Sequence, residues 1–281
     1  MNAMNRIMKG MGLAVAFAAA LGLGSGTASA AVFNPFQVSE GSVPGAVSNT
    51  FTADKITGNY TEVITFGAGN TFTVSLLWQA GQFANNCPSP CTIVSPTQLN
   101  GLPTTGYGLY ALYQSSGTFS TSGAVTTFTD TPGSGSLSVS IDPLEDTTFT
   151  PPANGSAPWT AANTSDDYQI ATGTPLGGTG TLDPSLPTCS TGINCGSFGT
   201  TTSFHLTSTV PGGTDYFTLP VPFYDLSFQS GQLDNFAVSG TQTITGSLDV
   251  TFARAPEPAT LMLLGVGLIG LAAVSRRRKQ G

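Results

Sequence analysis

The chain has 281 residues, of which 8% are charged and 40% hydrophobic, with 35 glycines, 19 prolines, four cysteines and one histidine. So low a charged fraction argues against a typical cytosolic enzyme, and a pI of about 4.4 argues against a nucleic-acid partner, whose phosphates need a basic surface. Residues 31–253 contain fourteen carboxylates and a single lysine, Lys55, which gives them a net charge of −13. The other seven of the eight cations lie in the terminal segments. This asymmetry indicates a targeting signal at each end.

Residues 1–30 have the pattern of a secretory signal peptide. Two cations precede an apolar run from Met11 to Leu23, and Ala28 and Ala30 provide a small-x-small cleavage site. The mature chain is therefore predicted to start at Ala31, after passage through the secretion translocon and cleavage by signal peptidase. The alternative, an N-terminal membrane anchor, is disfavoured by the short run and the well-placed cleavage site.

Residues 31–253 are predicted to form one extracytoplasmic domain rich in β-strands. Serine and threonine make up 64 of these 223 residues, and threonine, which favours strands, accounts for 39 of them. Alternating apolar and polar residues predict a hairpin of Tyr60–Phe66 and Thr71–Trp78, joined by a turn at Gly67–Asn70. Further strands are predicted at Tyr107–Tyr113, Ala124–Phe128, Leu137–Ile141, Ser203–Thr209, Tyr216–Leu219, Tyr224–Phe228 and Thr241–Phe252.

Stretches rich in glycine, proline and serine separate the predicted strands. They are predicted to be loops at Asn85–Thr105, Thr131–Gly135, Pro151–Ala162 and Thr174–Gly196. No amphipathic pattern of three helical turns appears between the strands, which disfavours alternating β–α units. The sequence therefore predicts an all-β fold, with an antiparallel β-sandwich or jelly-roll-like body.

The four cysteines lie in two of these loop-like stretches. Oxidation is expected in an exported chain, so we predict disulfides and, of three possible connectivities, favour the local pairs Cys87–Cys91 and Cys189–Cys195. A metal site is the alternative, although neither pair has zinc-knuckle spacing and the single histidine lies elsewhere.

His205 is the residue that any Ser-His-Asp arrangement would have to use. It lies in an alternating stretch with Ser203 and Thr207 on its face, which is typical of a solvent-facing strand residue. The chain also lacks a Gly-x-Ser-x-Gly elbow, a His-Glu-x-x-His helix and a glycine-rich phosphate loop. We predict a protein without catalytic activity.

Two groups of acidic residues could bind a cation. Asp142, Glu145 and Asp146 follow a predicted strand, and Asp166 and Asp167 lie in a later loop. Carboxylates at this density could hold Ca²⁺, although neither stretch has EF-hand spacing, and a solvated acidic loop is the alternative. A glycosidase pair is a further reading, for which the sequence gives no separation to test. Apart from possible calcium, no cofactor is predicted.

The last segment, residues 254–281, has three parts in a fixed order. Pro256, Glu257 and Pro258 are followed by 17 uncharged residues from Ala259 to Ser275. As a helix this run would span about 26 Å, enough to cross a thin membrane. By the positive-inside rule the body would stay outside the membrane. The basic cluster behind the run would stay inside and act as a transmembrane stop; it consists of Arg276, Arg277, Arg278 and Lys279.

This three-part tail resembles the PEP-CTERM sorting signal of bacteria that export exopolysaccharide. The resemblance implies that the membrane protease-transpeptidase exosortase processes the tail near Pro-Glu-Pro, leaving the body at the cell surface or in the extracellular matrix. Two prolines around one acid favour an extended, unpaired peptide that a membrane enzyme can grip.

Parts of the body resemble the flocculation-associated PEP-CTERM proteins. The stretches that carry this resemblance are Phe33–Phe36, Gly41–Gly45, Phe51–Val63, Gly108–Tyr113, Pro222–Phe228 and Gly240–Thr243. It implies a non-enzymatic surface or matrix protein that promotes floc or biofilm formation with exopolysaccharide as its partner. A polysaccharide-acting enzyme and a lectin-like glycan-binding module are the alternatives. Trp159, in a predicted loop, would either stack on a sugar face or belong to the core.

Overall fold

A computed structural model of the protein describes residues 33–87, 90–101, 106–191, 194–230 and 233–253. The predicted signal peptide, including Ala28, Ala30 and Ala31, lies outside these residues, and so do the Pro-Glu-Pro motif, the predicted transmembrane helix and the basic cluster. The boundaries predicted for the central domain fall next to the same undescribed segments.

The described residues form seventeen strands and very little helix. In chain order the strands are β1 (Phe36–Ser39), β2 (Thr50–Ala53), β3 (Lys55–Gly67), β4 (Thr71–Asn85), β5 (Thr92–Ile93), β6 (Gly108–Ser122), β7 (Val125–Asp130), β8 (Ser136–Asp142), β9 (Thr148–Thr150), β10 (Thr160–Ala162), β11 (Tyr168–Gly173), β12 (Pro175–Leu182), β13 (Gly196–Thr202), β14 (His205–Leu206), β15 (Phe217–Leu219), β16 (Asp225–Ser230) and β17 (Thr241–Ala253). The helical segments are α1 (Gly213–Tyr216) and 3-10 turns at Glu40–Ser42 and Pro187–Thr191.

Twelve strands form one antiparallel sheet in the order β14-β11-β8-β6-β7-β12-β13-β16-β17-β3-β4-β5. An additional pairing of β4 with β6 closes eight of them into a barrel-like ring: β3, β4, β6, β7, β12, β13, β16 and β17. The predicted all-β, antiparallel class is confirmed. Closure pairs most edges, and the strands left at the two ends of the order, β14 and β5, are only two residues long, which limits unwanted edge pairing.

The length of β6 makes this closure possible. Along one edge its first half pairs with β8, from Gly108 to Gln114, and its second half with β7, from Gly117 to Ser122. Along the other edge, Tyr110–Thr118 pairs with β4. The strand therefore belongs both to the ring and to the flap of β8, β11 and β14 that extends from it.

Neighbouring residues on the ring strands face opposite sides, as the alternating sequence requires. Ile64 and Leu76 belong to the main core inside the ring. Their chain neighbours Val63 and Leu77 belong to a smaller cluster on the outer face, together with Trp159. This tryptophan lies in the loop that joins β9 to β10.

The three-stranded sheet of β1, β2 and β15 packs against the core through aromatic rings. The ring centroid of Phe36 lies 4.8 Å from that of Phe252 and 5.8 Å from that of Phe217. Both contacts have the edge-on geometry that aromatic pairs favour. The first strand, β1, therefore packs against the C-terminal end of the last strand, β17.

The predicted hairpin is confirmed, and its strands are longer than predicted. They pair from Lys55 with Ala84 to Gly67 with Thr71, and the turn uses Gly69 and Asn70, both with positive φ. The predicted loop Thr174–Gly196 is wrong over its first third, because β12 lies within it.

Candidate functional site

Asp142 closes the end of β8 by accepting hydrogen bonds from the backbone of the following turn. Its Oδ1 accepts the N–H groups of Leu144 and Asp146 at 3.2 and 3.4 Å, and its Oδ2 accepts that of Thr147 at 2.9 Å. A short carboxylate at a strand end is suited to this, because the turn residues have no strand partner for their N–H groups. The side chain is 5% exposed and well satisfied.

Sheet register brings a second pair of carboxylates to Asp142. β11 pairs antiparallel with β8, with Tyr168 opposite Ile141, so the residues before Tyr168 lie beside the end of β8. Carboxylate oxygens of Asp142, Asp166 and Asp167 all lie within 4.8 Å of one another. We refer to these three residues as the carboxylate cluster.

Hydrogen bonds hold Asp167 in this cluster. The Tyr110 hydroxyl donates to its Oδ2 at 2.6 Å, and the Thr147 hydroxyl donates to both oxygens at 2.9 and 3.0 Å. Burial raises the pKa of Asp167, while these hydrogen bonds lower it. Asp166 accepts the Leu144 N–H at 3.1 Å through Oδ2, whereas its buried Oδ1 has no hydrogen-bond partner among the described residues.

The cluster overlaps only in part with the calcium candidates predicted from the sequence. Asp142 belongs to it, but Glu145 and Asp146 are exposed on the turn and are not part of the group. Glu145 bends back to accept a backbone hydrogen bond from Gly101, and its pKa is raised by partial burial and then by Asp142. An oxygen-only set of three carboxylates suits Ca²⁺ or Mg²⁺ rather than Zn²⁺.

A second pair of acids lies inside the ring, where the sequence analysis placed no candidate. Glu62 on β3 and Asp130 on β7 line a cavity of about 60 Å³ together with the hydroxyl-bearing residues Tyr113, Ser115 and Thr200. Burial raises the pKa of Glu62 to about 8, and the Asp130 charge adds to the effect. The alternation that places Glu62 on the face of Ile64 was a usable signal for this position.

The structure forms both disulfides that the sequence favoured. Cys87 pairs with Cys91 and Cys189 with Cys195, with Cα–Cα distances of 4.5 and 4.4 Å, in the usual range for a disulfide. Both bridges close small loops at the ends of strands. The Cys87 N–H also donates to Asp54 Oδ2 at 3.0 Å, which connects the first bridge to the start of β3.

The remaining residues singled out from the sequence are dispersed. His205 is exposed on the two-residue edge strand β14, opposite Thr172. Trp159 is a core residue and not a sugar-stacking one: it is 8% exposed, and its indole N–H donates to the Ser75 carbonyl at 3.2 Å. Trp159 shares the outer hydrophobic cluster with Tyr110, which donates to Asp167, whereas His205 is not among the described residues that bond to the carboxylate cluster.

Within the ranges that the structure describes, no helix is both long and apolar enough to cross a membrane. The membrane helix predicted for residues 259–275 falls outside those ranges, as does the basic cluster behind it. The tail is therefore characterised by its sequence alone.

The β-rich, disulfide-bonded body and the three-part tail together define a class of exported protein. Residues 254–279 match the family model of the PEP-CTERM protein-sorting motif, so the chain is a protein that carries a PEP-CTERM sorting motif. This motif implies export across the membrane, a surface or extracellular location and exosortase as the processing partner. No curated protein and no solved structure matches the chain.

Proposed function

We propose that the protein is a non-enzymatic surface or matrix component that promotes cell aggregation with exopolysaccharide after exosortase has processed its tail. The observation that carries the proposal is the sorting motif at residues 254–279, behind a β-rich body with a net charge of −13. The resemblance of the body to flocculation-associated proteins agrees with this role.

The chemistry of the body supports a partner that is a hydroxylated polymer. Threonine and serine side chains alternate outward on several ring strands, for example at Thr243 and Thr245 of β17, and they can hydrogen-bond sugar hydroxyls or carry O-linked glycan. The single lysine of the body is bound to Asp249 at 3.0 Å, so it is not available to attract an anionic polymer.

Divalent cations offer a way to join an acidic body to an acidic polymer. The carboxylate cluster presents Asp166 and Asp167 at a partly exposed edge of the fold. A Ca²⁺ ion held there could share its remaining coordination positions with polymer carboxylates or hydroxyls. Calcium would then act as a bridge between protein and polymer, with no chemical step.

The proposal is tested by an in-frame deletion in the host, with cell settling and secreted polysaccharide measured in the same cultures. We expect cells that no longer aggregate but still release polysaccharide of unchanged amount and size. Complementation with the wild-type gene should restore settling, whereas a Glu257→Gln variant should do so poorly because its tail is processed less efficiently. Chelation of calcium should disperse wild-type aggregates.

The competing reading, a secreted polysaccharide-acting enzyme, predicts a different result from the same strain. Aggregates would persist in the deletion strain while the size or amount of polysaccharide changed. Incubation of the exported protein with cell polysaccharide would then produce new reducing ends or unsaturated products. Either finding would overturn the matrix role. Saturable binding to one glycan would instead favour the lectin-like reading.

A further inference from the structure

The interior of the ring contains a partly open cavity whose size and lining differ from those of an ordinary protein core. It measures about 60 Å³. A single buried water needs about 10–15 Å³, so the cavity has room for roughly four non-hydrogen atoms. An eight-stranded ring is of the size at which side chains either fill the interior or leave space for one small ligand.

Glu62 lines this cavity, on the same face of β3 as Ile64. The residue is 8% exposed, and no described residue donates a hydrogen bond to its carboxyl. A buried carboxyl without a donor is costly, and native proteins usually satisfy such a group with protein, water or ligand. A water molecule or a ligand in the cavity could supply such a donor.

Asp130 approaches the same space from the other side of the ring. The Ser115 hydroxyl donates to its Oδ1 at 3.3 Å, and Tyr113 and Thr200 share a hydrogen bond of 3.1 Å beside it. A Cβ atom at Gly178 would overlap Asp130 Oδ2 and the Thr200 side chain. The glycine in β12 therefore makes room for a second carboxyl at the cavity wall.

Most of the remaining side chains that line the cavity are aromatic or aliphatic. Rings of Phe72, Phe128, Phe198, Phe228 and Phe236 face the cavity, in addition to that of Tyr113. Aromatic faces attract cations, and most strongly where water is excluded. Two acids among aromatic rings are thus complementary to a positively charged group that also carries apolar surface.

This lining suits an organic cation better than a metal ion. Calcium takes six to eight oxygen ligands, whereas two carboxylates of the described residues reach the cavity among apolar walls. A cation would be attracted by ionised Glu62 and Asp130, whereas an anionic ligand would be repelled by them and a neutral one would gain no charge interaction. An ammonium group can donate to one carboxyl while its methyl or methylene groups contact the rings.

We propose that the interior of the ring binds a small organic cation, a protonated or methylated amine of a few non-hydrogen atoms, with Glu62 as its principal partner and Asp130 as a second anion. The proposal is independent of the matrix role, since it concerns a different part of the body from the carboxylate cluster.

Binding is expected to displace a proton from Glu62, because the cation favours the ionised carboxyl. The titratable groups that act on Glu62 or its neighbours are Asp130, Tyr113 and Tyr60, with Asp234 acting on Tyr60. Affinity should therefore increase between about pH 6 and about pH 9, as Glu62 loses its proton in the free protein.

The test is a titration of the exported protein, purified from cells, with trimethylammonium chloride at constant ionic strength, followed by methyl NMR. We expect saturable shifts at Ile64, Val74 and Ile244, which line the cavity, with Kd on the order of 1 mM. The exposed Ile93 should not shift. Isopropanol, a neutral molecule of similar size, should bind at least tenfold more weakly.

Glu62→Gln should weaken binding at least tenfold, and Asp146→Asn, at an exposed carboxylate of the outer turn, should leave it unchanged. If Glu62→Gln does not fold, Gly180→Ala tests the same site, because its Cβ would lie 3.2 Å from Phe198 Cβ and 3.5 Å from Phe128 Cδ2. Equal binding of isopropanol, undiminished binding in both folded variants, or no saturable shift at the cavity methyls would overturn the proposal.

Discussion

Glu62 in the ring and Asp142 at the end of β8 are both buried acids, yet the fold treats them in opposite ways. Asp142 is 5% exposed and accepts three backbone N–H groups, whereas Glu62 is 8% exposed and accepts none from the described residues. Their burial is nearly equal, so burial alone does not determine whether an acid is satisfied.

The difference follows from where each residue lies on its strand. Inside a paired sheet every backbone N–H is already used by the neighbouring strands, so Glu62 in the middle of β3 has no main-chain donors within reach. Beyond a strand end these donors are free, and Asp142 collects them. A carboxyl in mid-strand must therefore obtain its partner from side chains, water or a ligand.

The largest expected loss of stability comes from replacing a tryptophan. The chain has one tryptophan inside the ring and one in the outer cluster, so the two regions can be compared directly. Trp78 is 2% exposed, donates to the Leu248 carbonyl at 3.0 Å and packs on Phe228. Trp78→Ala should lower the free energy of unfolding by about 3–5 kcal/mol, measured by urea denaturation. Trp159→Ala should cost less, because the outer cluster is small and only a hairpin covers it. Equal losses would show that the ring interior is not the main source of stability.

The second effect is the pH dependence that Glu62 confers. Since its pKa is raised to about 8 in the folded protein, the folded state holds a proton that the unfolded state releases. Stability should be complete at low pH and decline as pH rises to about 8, by up to about 1.4 kcal/mol per pH unit. Asp130, Asp167 and Glu145 also have raised pKa values and add to the same slope.

Urea denaturation from about pH 5 to about pH 9 measures this slope. Glu62→Gln, which keeps the shape of the side chain, should remove the largest part of it and be more stable than the wild type at high pH. Asp146→Asn provides the exposed control and should keep the slope. A slope that survives Glu62→Gln would mean that another acid carries the linkage.

A smaller loss is expected for Asp142→Asn. The change replaces charge-assisted hydrogen bonds to the turn with neutral ones and presents an amide to the Thr147 N–H, so we expect about 1–2 kcal/mol less stability. The measurement is again urea denaturation, with Asp146→Asn as the matched control on the same turn. An unchanged free energy of unfolding would indicate that the turn is stable without the hydrogen bonds to Asp142.

Much of the fold could be predicted because alternation in these strands is regular. It is clear in the halves of β3 and β4 that flank their turn, and the Gly-Asn sequence of that turn is a strong hairpin signal. β12 was missed because its Pro-Leu-Gly-Gly-Thr-Gly sequence has the composition of a loop. Packing explains the glycine at position 178 instead, since side chains of Asp130 and Thr200 occupy the space that a Cβ there would need.

The candidate site could be predicted only in part, because its residues are far apart in the sequence and are brought together by strand pairing. Asp166 and Asp167 were recognised as a pair, but their approach to Asp142 depends on the register between β8 and β11. Glu145 and Asp146 are closer in sequence and yet face solvent. Register across strands is set by side-chain packing in the whole sheet, which local patterns do not encode.

The smallest effect concerns Lys55, which forms an ion pair with Asp249 near the surface, on the same strand as the buried Glu62. The two side chains, 15% and 40% exposed, meet at 3.0 Å across β3 and β17. Because water and salt screen such a pair, Lys55→Met should cost about 0.2–1 kcal/mol, and the loss should shrink in high salt. A double-mutant cycle with Asp249→Asn isolates the pair energy from the lost packing of the lysine stem. A coupling as large as the effect of Trp78→Ala would show that this pair is shielded from solvent, and that the ring is held at its surface as firmly as at its core.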